Sequence, residues 1–324
     1  MTLTTAVVLE QPERLALHHL PLDAPGAEDV LVDVEWSGIS TGTEKLLWTG
    51  RMPAFPGMGY PLVPGYEAVG RVREAGPDAS HRVGDRVFVP GARCFGEVRG
   101  LFGAAASRLV VPSARAITLP PPMAESESAG QQAVLLALAA TAYHAVSGGG
   151  RRHPIVAPEL IVGHGVLGRL LARMTLAAGF AAPTVWETSE ERCEGATGYT
   201  VIAPEDDPRR DYRSIYDMSG DSTLLDRLIS RLAPGGEIVL AGFYSEPLQF
   251  AFAPAFMREA QIRAAAEWKP ADMKAVLQLV AEGRLQLDGL ITHNTAAGDA
   301  ERAYRTAFGD QRCLKMVLDW RACA

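Results

Sequence analysis

The sequence predicts an α/β protein of two domains. The first is built of short strands in a barrel-like arrangement, and the second is a doubly wound parallel sheet. Three observations carry this. From Thr5 to about Val111, short β-rich runs alternate with Gly and Pro and show no helical period. From about Ser126, helical and strand patterns alternate. Leu160 to Glu187 reads as one complete unit of strand, glycine turn, helix and strand.

In chain order, the expected strands of the first part are Ala6–Leu9, Val30–Val34, Gly70–Val72, Arg86–Val89 and Arg108–Val111. Two loops interrupt them. Ser37-Gly38-Ile39-Ser40-Thr41-Gly42-Thr43-Glu44 is polar and glycine-rich, and Arg51 to Gly65 carries Pro53, Pro56, Pro61 and Pro64. Glu127 to Ser147 reads as one alanine-rich apolar helix. Thr200–Ile202, Ser214–Tyr216, Glu237–Gly242 and Ala260–Ala266 are candidate strands. A helix at Leu224 to Leu232, capped by Asp221 or Ser222, ends at Pro234-Gly235-Gly236. Met273, Val276, Leu277 and Val280 mark another, ended by Gly283. The last strand, Lys315–Leu318, has no local partner and is expected to return to the first domain. The expected division is 1–127 together with 269–324, and 128–268.

Within the central unit, each glycine has a task. Leu160-Ile161-Val162 leads into Gly163-His164-Gly165-Val166-Leu167-Gly168. Gly163 permits a tight turn, Gly165 lets the backbone approach a pyrophosphate, and Gly168 lets the helix sit close to the sheet. The helix N-terminus offers free N–H groups and positive partial charge. Leu167, Leu170, Leu171, Met174 and Ala178 form its apolar face, and Gly179 is placed for a left-handed cap. Thr184-Val185-Trp186 ends on Glu187, 19 residues beyond Gly168. A carboxylate there accepts both ribose hydroxyls of NAD, whereas the 2′-phosphate of NADP would meet Glu187, with Glu190 and Glu191 close behind. Like charges at 4 Å repel by about 1 to 4 kcal/mol between water and a protein surface. Arg192 is the one nearby residue that argues for NADP, and NAD is the expected cofactor.

With 324 residues and 48% hydrophobic composition, the chain can build ample core. A net charge of −7 leaves no footprint for nucleic acid or an anionic membrane surface. No basic segment with an apolar core opens the sequence, and the run Ala133 to Val146 is too short to cross a bilayer, so a soluble cytoplasmic protein with no integral membrane segment is expected. Cys94, Cys193, Cys313 and Cys323 are scattered, and the seven histidines form no ligand cluster, so no metal site has the required spacing.

The order of Gly65-Tyr66-Glu67, Gly84-Asp85-Arg86-Val87, Thr141-Ala142-Tyr143, the glycine turn and Leu290-Ile291-Thr292-His293 resembles the medium-chain dehydrogenase/reductase superfamily over essentially the whole chain. That resemblance implies a GroES-like, partly open β-barrel catalytic domain joined to a Rossmann dinucleotide-binding domain, with hydride transfer. Zinc-dependent members place a cysteine where this chain has Ser40, a histidine where it has Tyr66 and a third ligand near Ala137. They also carry a four-cysteine lobe where only Cys94 stands. Serine and tyrosine are poor zinc ligands and alanine is none, so the resemblance implies a zinc-independent enzyme. Within the superfamily, Ser37 to Glu44, Trp48 to Pro53, Phe55 to Glu67 and the His164-containing turn resemble the bacteriochlorophyllide dehydrogenases. That implies NAD-dependent oxidation of the 3-(1-hydroxyethyl) group of a tetrapyrrole to 3-acetyl.

Without a metal, hydrogen-bond donors and a proton path must stabilise the alkoxide. The resemblance puts Ser40, Thr43 and Tyr66 where ligands and a relay hydroxyl sit. Tyr66 either donates to the alkoxide, or accepts a proton if the cationic nicotinamide depresses its pKa, or merely fills the volume of the lost ligand. Thr43 is a candidate relay or a turn residue. Glu44 and Glu67 are candidate bases, or they hold the loop by hydrogen bonds. His164 acts through its backbone, and its ring is a candidate phosphate donor. His144 is a candidate cofactor neighbour or a core residue. A flat macrocycle needs apolar and aromatic walls and a cation for its propionate; Trp48, Met52, Phe55, Met58 and Tyr60 offer the first and Arg51 the second. The same loop suits packing on the barrel or on a second subunit, as in a homodimer. The competing functions are a zinc-independent quinone or enone reductase, which prefers NADPH, and a nucleotide-binding protein without catalysis.

Overall fold

Short runs of aliphatic and β-branched residues set the first strands. In the computed structural model, which describes residues 2–148 and 156–323, β1 (Leu3–Gln11) and β2 (Arg14–Pro21) form an antiparallel hairpin that pairs Val7 with Leu17. β2 is not among the expected strands. Its Leu, Ala and His residues have little strand preference, and pairing with β1 decides its conformation. β3 (Asp29–Ile39) is longer than its central Val-Leu-Val run. Ser37-Gly38-Ile39, expected in a loop, are its last residues, paired with the C-terminal strand. α1 (Thr43–Trp48), β4 (Leu62–Val63), β5 (Ala68–Ala75), β6 (Arg86–Val89), β7 (Arg99–Gly100), β8 (Arg108–Pro112) and β9 (Ile117–Thr118) follow.

The periodicity predicts one helix over Glu127 to Ser147. The structure divides it, after α2 (Pro121–Glu125), into α3 (Glu127–Gln132), a 3₁₀ turn at Ala133–Leu135 and α4 (Leu136–Ser147). Gly130 in α3 is where Arg86 approaches: its Nη1 donates to Met123 O and Ser126 O, at 3.1 and 2.8 Å. A Cβ on Gly130 would lie 2.6 Å from that nitrogen.

The next elements are β10 (Leu160–Val162), α5 (Val166–Ala177), β11 (Thr184–Trp186), α6 (Glu190–Cys193), β12 (Thr200–Ile202), β13 (Tyr212–Asp217), α7 (Leu225–Arg231), β14 (Leu232–Leu240), α8 (Phe252–Met257), β15 (Gln261–Ala264) and α9 (Pro270–Ala281). They include every expected strand, but α6 and α8 are not expected, and Pro234-Gly235-Gly236, expected to end a helix, lies inside β14. All six strands pair in parallel, in the order β12-β11-β10-β13-β14-β15. This is the doubly wound order, which reverses between β10 and β13 and leaves a binding crevice at their carboxyl ends. Neither Asp221 nor Ser222 caps α7; its N-cap is Leu224, and Asp221 instead accepts from Thr223 N and Oγ1.

The chain then adds β16 (His293–Ala296), α10 (Ala300–Gly309) and β17 (Met316–Asp319) to the first sheet system. β17 lies between β16 and β3, in a sheet that runs β16-β17-β3-β5-β6-β9 with β8 also on β3. The remaining strands form the sheet β2-β1-β4-β7. Two compact units result: 1–137 with 288–324, and 138–287. The units join at 137/138 and 287/288, later in the chain than the junctions expected at 127/128 and 268/269. No helix among the described residues is long and apolar enough to cross a membrane.

Candidate active site and cofactor turn

In the second unit, the glycine turn has the expected backbone. Gly163 sits at φ 97°, a conformation that favours glycine. A Cβ on Gly168 would collide with the carbonyl oxygen of Gly163, so helix and strand approach as closely as two backbones allow. A Cβ on Gly165 would meet nothing within 4 Å, and no side chain caps the N-terminus of α5. The turn therefore fits the pyrophosphate of a dinucleotide, with open space beside Gly165 and uncapped donors at Val166, Leu167 and Gly168. Leu170, Leu171 and Met174 are buried, and Gly179 takes the left-handed cap at φ 79°.

Glu187 follows β11 and is buried. Its Oε2 accepts from His164 N at 3.0 Å, and its Oε1 from Thr188 N at 2.8 Å and Ser189 N at 2.9 Å. Arg192 Nε is 3.2 Å from Oε2. The carboxyl is held below the usual carboxylate range: burial opposes ionisation, but the Ser189, His164 and Thr188 amides and Arg192 outweigh it. The acid thus fastens the turn through His164 while presenting its charge next to Arg192.

The His164 ring is occupied within the protein. Its Nδ1 donates to Arg192 O at 2.6 Å, and Nε2 lies 2.8 Å from the Tyr199 hydroxyl. Burial pushes the imidazole down to about 4, so it is neutral and Nε2 accepts from Tyr199. Arg169, on the buried side of α5, donates to His164 O, Arg192 O and Glu194 O at 2.9, 2.9 and 2.7 Å. Sequence reasoning missed Arg169 and Tyr199; the signal for Arg169 is an arginine next to the Leu170-Leu171 apolar stripe. His144, on α4, pairs at 2.8 Å with Asp272 of α9, a buried structural contact.

In the first unit, the end of β3, the start of α1 and the turn at Gly65 bring a polar cluster together. Gly65, at φ 92°, turns the chain so that Tyr66 faces Ser40. The Tyr66 hydroxyl donates to Ser40 Oγ at 2.6 Å, and Thr43 also hydrogen-bonds the phenol. Burial and the Glu67 carboxylate push Tyr66 well above its ordinary value, so in the protein alone it is a neutral donor. The Phe102 ring stands edge-on to it, with centroids 5.8 Å apart.

Glu44 is fully buried. Its Oε1 accepts from Ser40 N at 2.9 Å and its Oε2 from the Tyr304 hydroxyl of α10 at 2.8 Å. Burial pushes it up to about 7 against those two donors. Glu67, also fully buried, accepts from Lys315 Nζ at 2.7 and 3.0 Å, and the same ammonium donates to Ile39 O at 3.3 Å. Sequence reasoning missed Tyr304 and Lys315, although a lone lysine among Leu314, Met316 and Val317 signals a buried partner.

The positions where the resemblance implies ligands in zinc-dependent members hold a serine hydroxyl already bonded by a phenol, that phenol, and Ala137. No group of three or more His, Cys, Asp or Glu side chains among the described residues is placed to hold a metal. A zinc ion does not fit this donor set.

The expected macrocycle wall is partly core. Trp48 is buried against Tyr304 and Phe308, with centroids 6.5 and 6.2 Å away, and Met52 is buried in the same cluster. Trp48 faces inward because the end of α1 packs on α10. Arg51 and Phe55 are exposed, while Met58 and Tyr60 are half-buried, and the Tyr60 hydroxyl donates to Leu47 O.

A doubly wound sheet with this glycine turn and a barrel-like unit in one chain are the two parts of a medium-chain dehydrogenase. Residues 26–121 match the alcohol dehydrogenase GroES-like domain. The chain is 59% identical to the 2-desacetyl-2-hydroxyethyl bacteriochlorophyllide A dehydrogenase of Cereibacter sphaeroides, over 99% of both chains. It is 55% identical to that of Rhodobacter capsulatus, over 98% of both. It therefore belongs to the bacteriochlorophyllide dehydrogenase family of the medium-chain dehydrogenase/reductase superfamily, and is an oxidoreductase acting on CH–OH groups. The fold is shared with a short chain alcohol dehydrogenase from E. coli CFT073 solved with NADH, at TM-score 0.81 and 23% identity over 98% of this chain and 99% of that one. It is also shared with 2R,3R-butanediol dehydrogenase from Bacillus subtilis, at TM-score 0.81 and 20% identity over 98% and 99%.

Proposed function

We propose that this protein oxidises the hydroxyethyl side chain of a bacteriochlorophyllide to an acetyl group, with NAD and without zinc. The observation that carries the substrate is the 59% identity over 99% of both chains to a dehydrogenase of that name. Glu187, ionised behind the second strand of the glycine turn, supports NAD over NADP. The cofactor, when bound, accepts the hydride. Gly163, His164, Gly165, Val166, Leu167 and Gly168 would hold it through their backbones. Tyr66, Ser40 and Thr43 would bind the alcohol oxygen and move its proton, and Glu67, paired with Lys315, would fix Tyr66 from the adjoining position. Of the wall residues, Phe55, Met58 and Tyr60 would contact the macrocycle and Arg51 its propionate; Trp48 and Met52 support them from the core.

The test is to incubate the purified protein with NAD and the hydroxyethyl bacteriochlorophyllide and follow the red shift as acetyl conjugates with the ring. Turnover with NAD supports the reading. NAD binding with no spectral change overturns it.

A further inference from the structure

An alcohol that loses hydride must also lose a proton, and the Tyr66 and Ser40 hydroxyls can only pass it on. Each is neutral, and a chain of hydroxyls needs a base at its end. Two buried carboxylates belong to the same cluster, Glu44 through the Ser40 amide and Glu67 as the residue after Tyr66, and their surroundings differ in a way that selects one. Both oxygens of Glu67 are held by the Lys315 ammonium, whose side chain is 1% exposed. A proton on Glu67 would leave that cation buried without its counter-charge, which is costly. Glu44 has neutral donors, the Ser40 amide and the Tyr304 hydroxyl. It can take a proton without stranding a charge, because the tyrosine hydroxyl turns from donor to acceptor.

We propose that Glu44 is the inner proton acceptor of the site, reached through the hydroxyls of Tyr66 and Ser40. The proposal rests on the alcohol-oxidising reading above. The alcohol O–H bond breaks as its proton goes to Tyr66 Oη, the phenol proton passes to Ser40 Oγ, and the serine proton passes, as that hydroxyl turns toward it, to the Glu44 carboxylate, whose Oε1 the Ser40 amide holds at 2.9 Å. The carbinol C–H electron pair leaves as hydride to the nicotinamide, so the substrate is oxidised by two electrons and one proton remains on Glu44. After the ketone leaves, the proton returns by the same hydroxyls to water at Tyr66, which is half-buried.

The charge around Glu44 suits both directions of transfer. The groups that face it are Tyr304 from α10, Lys315 at the start of β17, Glu67 and Tyr66 beyond the Gly65 turn, and the Ser40 amide. Burial raises its pKa most, Ser40 and Tyr304 lower it, Glu67 raises it and Lys315 lowers it, and the balance stands at about 7. An acceptor at that level takes the proton and gives it back near neutral pH.

The experiment is the pH dependence of kcat for bacteriochlorophyllide oxidation at saturating NAD, in wild type, Glu44→Gln and Tyr304→Phe. In wild type kcat falls on the acid side with an inflection near 7. Glu44→Gln loses roughly 10²–10⁴-fold in kcat and loses the inflection. Tyr304→Phe removes a donor that favours the carboxylate, so its inflection moves to higher pH. A Tyr304→Phe profile that is unmoved or moves to lower pH overturns the proposal, and this variant decides alone if Glu44→Gln fails to fold. A folded Glu44→Gln that keeps the wild-type rate and profile also overturns it. A wild type that binds NAD and oxidises nothing overturns the reaction assignment itself, and the Glu44 assignment with it.

Discussion

The ion pair of Lys315 with Glu67 permits a quantitative test of how this cluster is held. Its side chains are 1% and 0% exposed, and the ammonium reaches both carboxylate oxygens. Lys315→Met keeps most of the stem and removes the charge. Deleting one partner of a buried pair costs about 3–5 kcal/mol, and that loss is expected near pH 8. Burial already raises the Glu67 carboxyl and Lys315 pulls it down. Without the ammonium, the folded-state pKa climbs further above the unfolded one. A raised carboxyl contributes stability that is present at low pH and lost as pH rises through the folded-state value. Lys315→Met is therefore penalised less near pH 5, where Glu67 can take a proton, than near pH 8. Glu67→Gln strands the ammonium instead, while Glu67→Gln with Lys315→Met removes both charges and is expected within about 1 kcal/mol of wild type. Urea unfolding followed by tryptophan fluorescence reads this, since Trp36 and Trp320 are buried in the same unit. A Lys315→Met loss below about 1 kcal/mol, or single losses that simply add in the double variant, would refute the reasoning.

Three further outcomes are expected. Glu187→Ala weakens NAD by about tenfold or more while NADP binding falls less, because Arg192 is released from its partner to meet the 2′-phosphate; equal losses by titration would show that Glu187 does not discriminate. Gly168→Ala forces α5 away from Gly163, costs about 1–3 kcal/mol, and abolishes tight NAD binding, checked by calorimetry; retained affinity contradicts the close-approach account. Dialysis against a zinc chelator leaves kcat unchanged, and inactivation reversed by added zinc contradicts the donor set at Ser40, Tyr66 and Ala137.

The central unit was legible because its signals are local. Gly163, Gly168 and Gly179 each stand where the backbone allows little else, and of the expected apolar face Leu170, Leu171 and Met174 become buried while Leu167 is half-buried and Ala178 exposed. The return of the last strand was legible too, since an apolar run without a nearby partner must find one elsewhere, and β17 finds β3. β2 and the strand character of Ser37–Ile39 were not, because pairing rather than composition decides them. The site cluster was only half visible. Ser40, Thr43, Glu44, Tyr66 and Glu67 are close in sequence, but Tyr304 and Lys315 reach them across 260 and 248 residues, a separation that no local pattern spans. Trp48 read as a ligand wall for the same reason, since its partner helix α10 lies far along the chain.

The position of β17 also sets an order of assembly during synthesis. Residues 138–287 are complete before 288–324 leave the ribosome, so the parallel sheet can close while the first unit still has an open β3 edge. Translation at roughly 5–20 residues per second leaves that edge exposed for many seconds. Through that interval Glu67 has no Lys315 and Glu44 has no Tyr304. The nascent chain is therefore a form in which the glycine turn can be built while the Glu44–Tyr304 and Glu67–Lys315 pairs cannot.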